Sequence, residues 1–112
     1  MVIEWVRIVV PPTKGEQIQR ALSAWAGPTG VEAGCLNCRI LQESGNAQAF
    51  CYEARWKSRG DLLQHIRSEH YKRLLMLLDL SSEPPTVEFH TVMETSGLEL
   101  IESARGVYDQ RG

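Results

Sequence analysis

The spacing of apolar residues changes along the chain in one fixed order. It runs from two-residue alternation to helical spacing, then through two alternating stretches, then to helical spacing and alternation again. Residues 2–10, VIEWVRIVV, are β-branched and aromatic and predict a strand, which Pro11-Pro12 closes. Thr13 followed by Glu16 reads as a capping box. Ile18, Ala21, Leu22 and Trp25 then fall on one helical stripe, and Gly27-Pro28 predicts its end. Residues 34–43 and 48–57 read as strands joined by the turn Ser44-Gly45-Asn46, an antiparallel hairpin. On the second of these, Phe50, Tyr52, Ala54 and Trp56 share one face and Cys51, Glu53 and Arg55 the other. Ser58, with Asp61 three residues on, caps a second helix. It carries Leu62, Leu63, Ile66, Leu74 and Leu77 and is expected to end near Asp79. After a loop at 81–85, residues 86–94 read as a fourth strand. Ser96 with Glu99 opens a short helix with Ile101, Ala104 and Tyr108 on one side.

The order β-α-β-β-α-β plus a C-terminal helix predicts an α+β, ferredoxin-like fold, with both helices on one face of an antiparallel four-stranded sheet. At 112 residues the chain is one domain, 1–112, with a core over 2–95 and a helical extension over 96–112. With both of those helices on one side, the other sheet face must be covered or solvated. That face carries Cys51, Glu53 and Arg55, together with either Trp5 or the valines of strand one. A face half apolar and half charged suits a second subunit better than water, so a homodimer is expected.

Net charge of -2 gives no general field for nucleic acid or anionic membrane. No apolar run reaches the roughly 18 residues of a membrane span. The start of the chain lacks a basic segment followed by an apolar one, so a cytoplasmic protein is expected. Three cysteines, an odd number, argue against a disulfide framework. Cys35-Leu36-Asn37-Cys38 is formally a CxxC, but it lies inside a strand, where residues i and i+3 point to opposite faces. Zinc would need a second ligand pair at suitable spacing. The thiols are therefore expected to pack, with no metal bound. No glycine-rich phosphate loop is present, and no cofactor is expected.

With helix two drawn as one continuous helix, Leu62 at 0° puts Ile66 at about 40°, Leu77 at about 60°, Leu63 at about 100° and Leu74 at about 120°. His70 falls at about 80°, mid-stripe, and is expected to face Tyr52 and Trp56 on the sheet. Two roles fit it: a core histidine bonded to a backbone carbonyl or to Tyr52, or a general acid/base. His65 falls near 300°, at the stripe's edge, and is expected to meet solvent. Trp56 and Tyr52 are either core residues or pocket walls. Arg39 and Arg55 could hold an anionic substrate group or form surface ion pairs. His90, on the face opposite Phe89, is expected at a subunit interface. The candidate site is thus His70 as the catalytic residue, with Trp56, Tyr52, His65 and Arg39 as substrate contacts.

Two segments carry a resemblance: Tyr52-Glu53-Ala54-Arg55-Trp56-Lys57-Ser58-Arg59, and Leu62 to Tyr71 with its His65-Ile66-Arg67-Ser68-Glu69-His70. This pairing of an aromatic-Glu-x-x-Trp strand with a His-x-x-Ser-x-His helix resembles the antibiotic biosynthesis monooxygenase (ABM) domain family. Gly34-Cys35-Leu36 is similar to that family's Pro-Gly-Cys pattern, with Ala33 in place of the proline. The resemblance implies a dimeric α/β barrel, two sheets packed face to face. It also implies a cofactor-independent monooxygenase that oxidises a small quinol or polyphenolic aromatic with molecular oxygen. An isomerase or lyase on the same scaffold, or a non-enzymatic small-molecule-binding dimer, are the alternatives. The heme-degrading branch would place a histidine where this chain has Leu75, which cannot ligate iron.

Overall fold

The structure, a computed structural model, describes residues 1–106. Its elements in chain order are β1 (Val2–Val9), α1 (Gly15–Gly30), β2 (Cys35–Gln42), β3 (Ala49–Trp56), α2 (Arg59–Ile66), α3 (Glu69–Leu78), β4 (Thr86–Thr91) and α4 (Leu98–Arg105). The strands form one antiparallel sheet in the order β2-β3-β1-β4. This is the expected α+β, ferredoxin-like arrangement. Tyr108, assigned above to the last helix, lies outside the described residues.

Alternation decides what each sheet face carries. On the helix side β1 buries Val2, Glu4, Val6 and Ile8, while β3 buries Phe50, Tyr52, Ala54 and Trp56. The valines thus face the helices, and Ile3, Trp5 and Arg7 share the open face with Cys51, Glu53 and Arg55, all only partly buried. His90 pairs with Ile3 and so belongs to that open face, as expected. Arg55 Nε is buried there without a hydrogen-bond partner. Ile18, Leu22 and Trp25 of α1 and Leu62, Tyr71 and Leu74 of α2 and α3 close the core over the other side.

Three expectations are corrected. The second helix is two helices. Ser58 caps α2 by accepting from the Asp61 amide, and Ser68 caps α3 in the same way from the Tyr71 amide, so the axis breaks at residues 67–68. Helix α1 does not stop at Gly27-Pro28 but runs to Gly30. The Thr29 hydroxyl donates back to the Trp25 carbonyl within this last turn, and Lys14 rather than Thr13 stands at its N-cap. Finally, Cys35 and Cys38 do not point to opposite faces. A register irregularity between Cys35 and Asn37 adds a residue, and both thiols pack against the core as free cysteines.

Candidate active site

Glu4 is the one acidic side chain on the apolar face of β1, and it is fully buried. Burying a carboxylate is costly unless donors surround it. Here three do. The Tyr52 hydroxyl donates to Glu4 Oε1 at 2.7 Å and the Trp56 indole N–H to the same oxygen at 3.2 Å. The Tyr71 hydroxyl donates to Oε2 at 2.9 Å. Burial, and then the Glu4 charge, push both phenols well above the ordinary tyrosine range, which keeps them as donors.

His65 completes the cluster. Its imidazole is fully buried, stacked on Trp56 with ring centroids 4.4 Å apart and meeting Tyr71 edge-on at 5.0 Å. Nδ1 lies 3.0 Å and 2.9 Å from the two carboxylate oxygens of Glu32, and Nε2 faces Glu4 Oε1 across 3.8 Å. That second contact is too long for a hydrogen bond, so Nε2 is buried without a hydrogen-bond partner among the described residues. The imidazole therefore sits between two carboxylates, one buried and one at the surface. The Glu32 side chain is 28% exposed. It lines a cleft of about 190 Å³ with Ala33, Asp61, Gln64, His65 and Ser68.

This placement reverses the expectation for the two histidines. His70 does not face Tyr52 and Trp56. Its ring stacks parallel on Trp25 at 4.9 Å, and Nε2 lies between the Thr29 hydroxyl at 2.9 Å and the Trp25 carbonyl at 3.0 Å. Of the two roles weighed for it, this geometry is that of a histidine bonded to a backbone carbonyl. His65, expected in solvent, takes the interior place. The cause is the break at 67–68: angles counted through it as one helix lose their phase. Tyr52 and Trp56 are fully buried core residues that donate to Glu4, and neither lines the cleft beside Glu32. Arg39 does not join it. It pairs with Glu53 at 3.1 Å, a residue of the open sheet face. Glu4, Glu32 and Tyr71 were missed by the sequence reading. For Glu4 a signal existed, since a lone acid alternates with Val2, Val6, Ile8 and Val10.

Chemically, the arrangement can accept a proton at the cleft. Glu32 is the partly exposed acceptor, and the imidazole behind it can share the charge with a carboxylate on either side. Among the described residues no group of three or more His, Cys, Asp or Glu is placed to hold a metal ion. No described helix is long and apolar enough to cross a membrane.

Comparison with known proteins gives a family model, antibiotic biosynthesis monooxygenase, that matches residues 1–75. Among solved structures the chain is similar to a candidate antibiotic biosynthesis monooxygenase from Nitrosomonas europaea, at 22% identity and TM-score 0.75, covering 84% of this chain and 100% of that one. A candidate monooxygenase of the same kind from Deinococcus radiodurans gives 17% identity and TM-score 0.79, covering 88% and 98%. A conserved protein from Methanosarcina mazei gives 26% identity and TM-score 0.73, covering 80% and 91%. No curated protein matches.

Proposed function

Because the chain belongs to the antibiotic biosynthesis monooxygenase family, we propose that it is a cofactor-independent monooxygenase acting on a small, single-ring hydroquinone, with Glu32 and His65 as its acid/base pair. Family membership supports the general monooxygenase-like function. The observation that carries the finer reading is the buried His65 imidazole, held between Glu32 and Glu4 at the edge of a cleft. An enclosed apolar cavity of about 150 Å³ takes benzene. A cleft of about 190 Å³ is therefore of one-ring size.

The chemistry asks little of the protein. Glu32 takes a phenolic proton, and His65 Nδ1 stabilises the pair that forms. The phenolate passes one electron to O2. The resulting ring radical and superoxide join through a new C–O bond. The peroxide takes back the proton held by Glu32, and its O–O bond breaks as the ring C–H proton leaves with the departing oxygen as water, so hydroquinone and O2 become hydroxyquinone and water and Glu32 is again a carboxylate. The protein contributes a base, orientation and exclusion of bulk water.

The active unit in this reading is a homodimer. Its support is the open sheet face, with Ile3 and Trp5 beside Arg55, whose buried Nε has no hydrogen-bond partner among the described residues and only a 3.6 Å ion-pair contact to Glu53. Two such faces packed together would make the α/β barrel that the family resemblance implies.

Oxygen uptake with a panel of hydroquinones tests the activity. Glu32→Gln and His65→Phe should each lower turnover by about 10²–10⁴-fold, the usual worth of a positioned acid/base. His70→Gln, in a folded variant, should lower it far less. No oxygen uptake by the wild type over the panel, or full turnover in Glu32→Gln, overturns the proposal.

A further inference from the structure

The Glu32–His65 cleft holds a second acid, Asp61, and its lining includes no lysine or arginine. Whether the His65 imidazole is neutral or protonated, the side chains around the cleft carry net negative charge, and Glu4 adds to it from behind the ring. Arg39, which the sequence offered as a holder for an anionic substrate group, pairs with Glu53 elsewhere. An anionic ligand entering here would be repelled, and a cationic one drawn in.

Asp61 is the acid left free for such a ligand. The Glu32 carboxylate is engaged with His65 Nδ1. Among the described residues Asp61 bonds only to Ser58, whose hydroxyl donates to Oδ2 at 2.8 Å and accepts from the Asp61 amide. Oδ1 is left without a partner, and no cation pairs with the carboxylate. A glycine makes room for this placement. Gly34 has a φ of 83°, and the Asp61 carboxyl lies against its backbone where a Cβ would overlap it. The close approach sets the first turn of α2 against the segment that follows Glu32, so the two acids line one cleft.

The second acid also bears on proton transfer. A phenol that gives its proton to Glu32 becomes a phenolate near Asp61, and two like charges there oppose the step. A ligand that sets its own ammonium at Asp61 removes that repulsion and adds an attraction within itself.

We propose, resting on the reading of Glu32 and His65 as an acid/base pair, that the ligand of this cleft is a one-ring phenol with a short aminoalkyl chain. Its hydroxyl sits at Glu32 and its ammonium at Asp61, which makes Asp61 the residue that sets charge specificity. The substrate of the oxygenase is then an aminoalkyl hydroquinone and not one that bears an acid.

Three monophenols of one ring size, tyramine, para-ethylphenol and para-hydroxyphenylacetate, test this by binding alone. They are titrated into the full chain at low salt and followed by amide NMR at Ala33, Gln64 and Ser68. Tyramine should bind roughly tenfold more tightly than para-hydroxyphenylacetate, with para-ethylphenol between them, and high salt should shrink the difference. Asp61→Asn, with its melting curve unchanged, should cut the preference to about threefold or less. Glu16→Gln, at an exposed acid on α1 that pairs with Arg20, should keep it. Equal affinities, a preference for the acid, or no shift at those amides with millimolar tyramine overturns the proposal, and each is read on the wild type whatever the stability of the variant. A preference that survives Asp61→Asn in the folded protein overturns it too. The oxygenase reading fails separately: no oxygen uptake with hydroquinones sinks that activity while the charge series still decides the ligand, and oxygen uptake with equal affinities sinks only the amine.

Discussion

Replacing Glu4 with leucine removes the acceptor of three buried donors in one step. The Tyr52 and Tyr71 hydroxyls and the Trp56 indole would each be left in the core with nothing to bond. A buried donor stranded this way costs about 1–3 kcal/mol, so three set a range of about 3–9 kcal/mol. The donors share one carboxylate and will not add independently, and the leucine no longer has to hold a charge out of water. The lower half, about 3–6 kcal/mol, is therefore expected. That is a large part of the about 5–15 kcal/mol that holds an ordinary domain together. Glu4→Gln is the matched control. Its carbonyl oxygen can still accept from Tyr52 and Trp56, and its amide can donate to a turned Tyr71 hydroxyl, so about 1 kcal/mol of loss is expected. Urea unfolding followed by tryptophan fluorescence separates the two, provided the slope with denaturant is unchanged. Replacing a whole buried ion pair with apolar residues is often neutral or stabilising, but here only the acceptor goes and the donors remain. A leucine variant as stable as wild type would refute this account of the cluster.

Three further outcomes follow from the same structure. Tyr52 and Tyr71 hold their protons above the ordinary range because they are buried beside Glu4. Their contribution should be complete below about pH 10 and fall as pH rises beyond it, since only the unfolded chain then releases the phenol protons; melting temperatures across that range should drop less steeply in Tyr52→Phe. Burial, with Cys35 and Glu4 adding to it, pushes the Cys38 thiol up to about 12. At pH 8 the folded protein should thus be alkylated there on the order of 10³ times more slowly than a free cysteine, and urea should abolish the difference. Leu74 is fully buried at the α3–sheet contact, so Leu74→Ala should cost about 2–5 kcal/mol, read from the shift in denaturation midpoint.

The strands and their faces were legible because β-branched residues alternate cleanly there, and burial follows that alternation across β1 and β3. The bulge in β2 was not, because one inserted residue leaves the composition of Cys35-Leu36-Asn37-Cys38 unchanged while turning both thiols to the same side. Glu4 was half legible. Its position on the apolar side of β1 follows from counting by two, but the three donors that let it stay there come from β3 and α3, which sequence spacing does not bring together.

The histidines show how one local signal decides the site. Leu62 to Leu77 contains enough well-spaced leucine to suggest one helix, and on that reading His70 lies inside. Yet Ser68-Glu69 repeats the device at the start of α2, a serine N-cap with an acid in the first turn. Two such caps ten residues apart mean two helices. The second cap also holds the buried histidine, since the Ser68 hydroxyl donates to the His65 carbonyl at 2.7 Å, closing the turn just after α2. The break therefore fixes the His65 backbone at the end of α2, where the ring can stack on Trp56 and reach Glu32 with Nδ1. It also lets α3 start on a new phase, with Tyr71 turned in to Glu4 and His70 turned away to Trp25. A continuous helix would not turn His65 and Tyr71 to the same carboxylate, because residues six apart on one axis point about 120° apart. The break is what brings the two side chains to one buried acid.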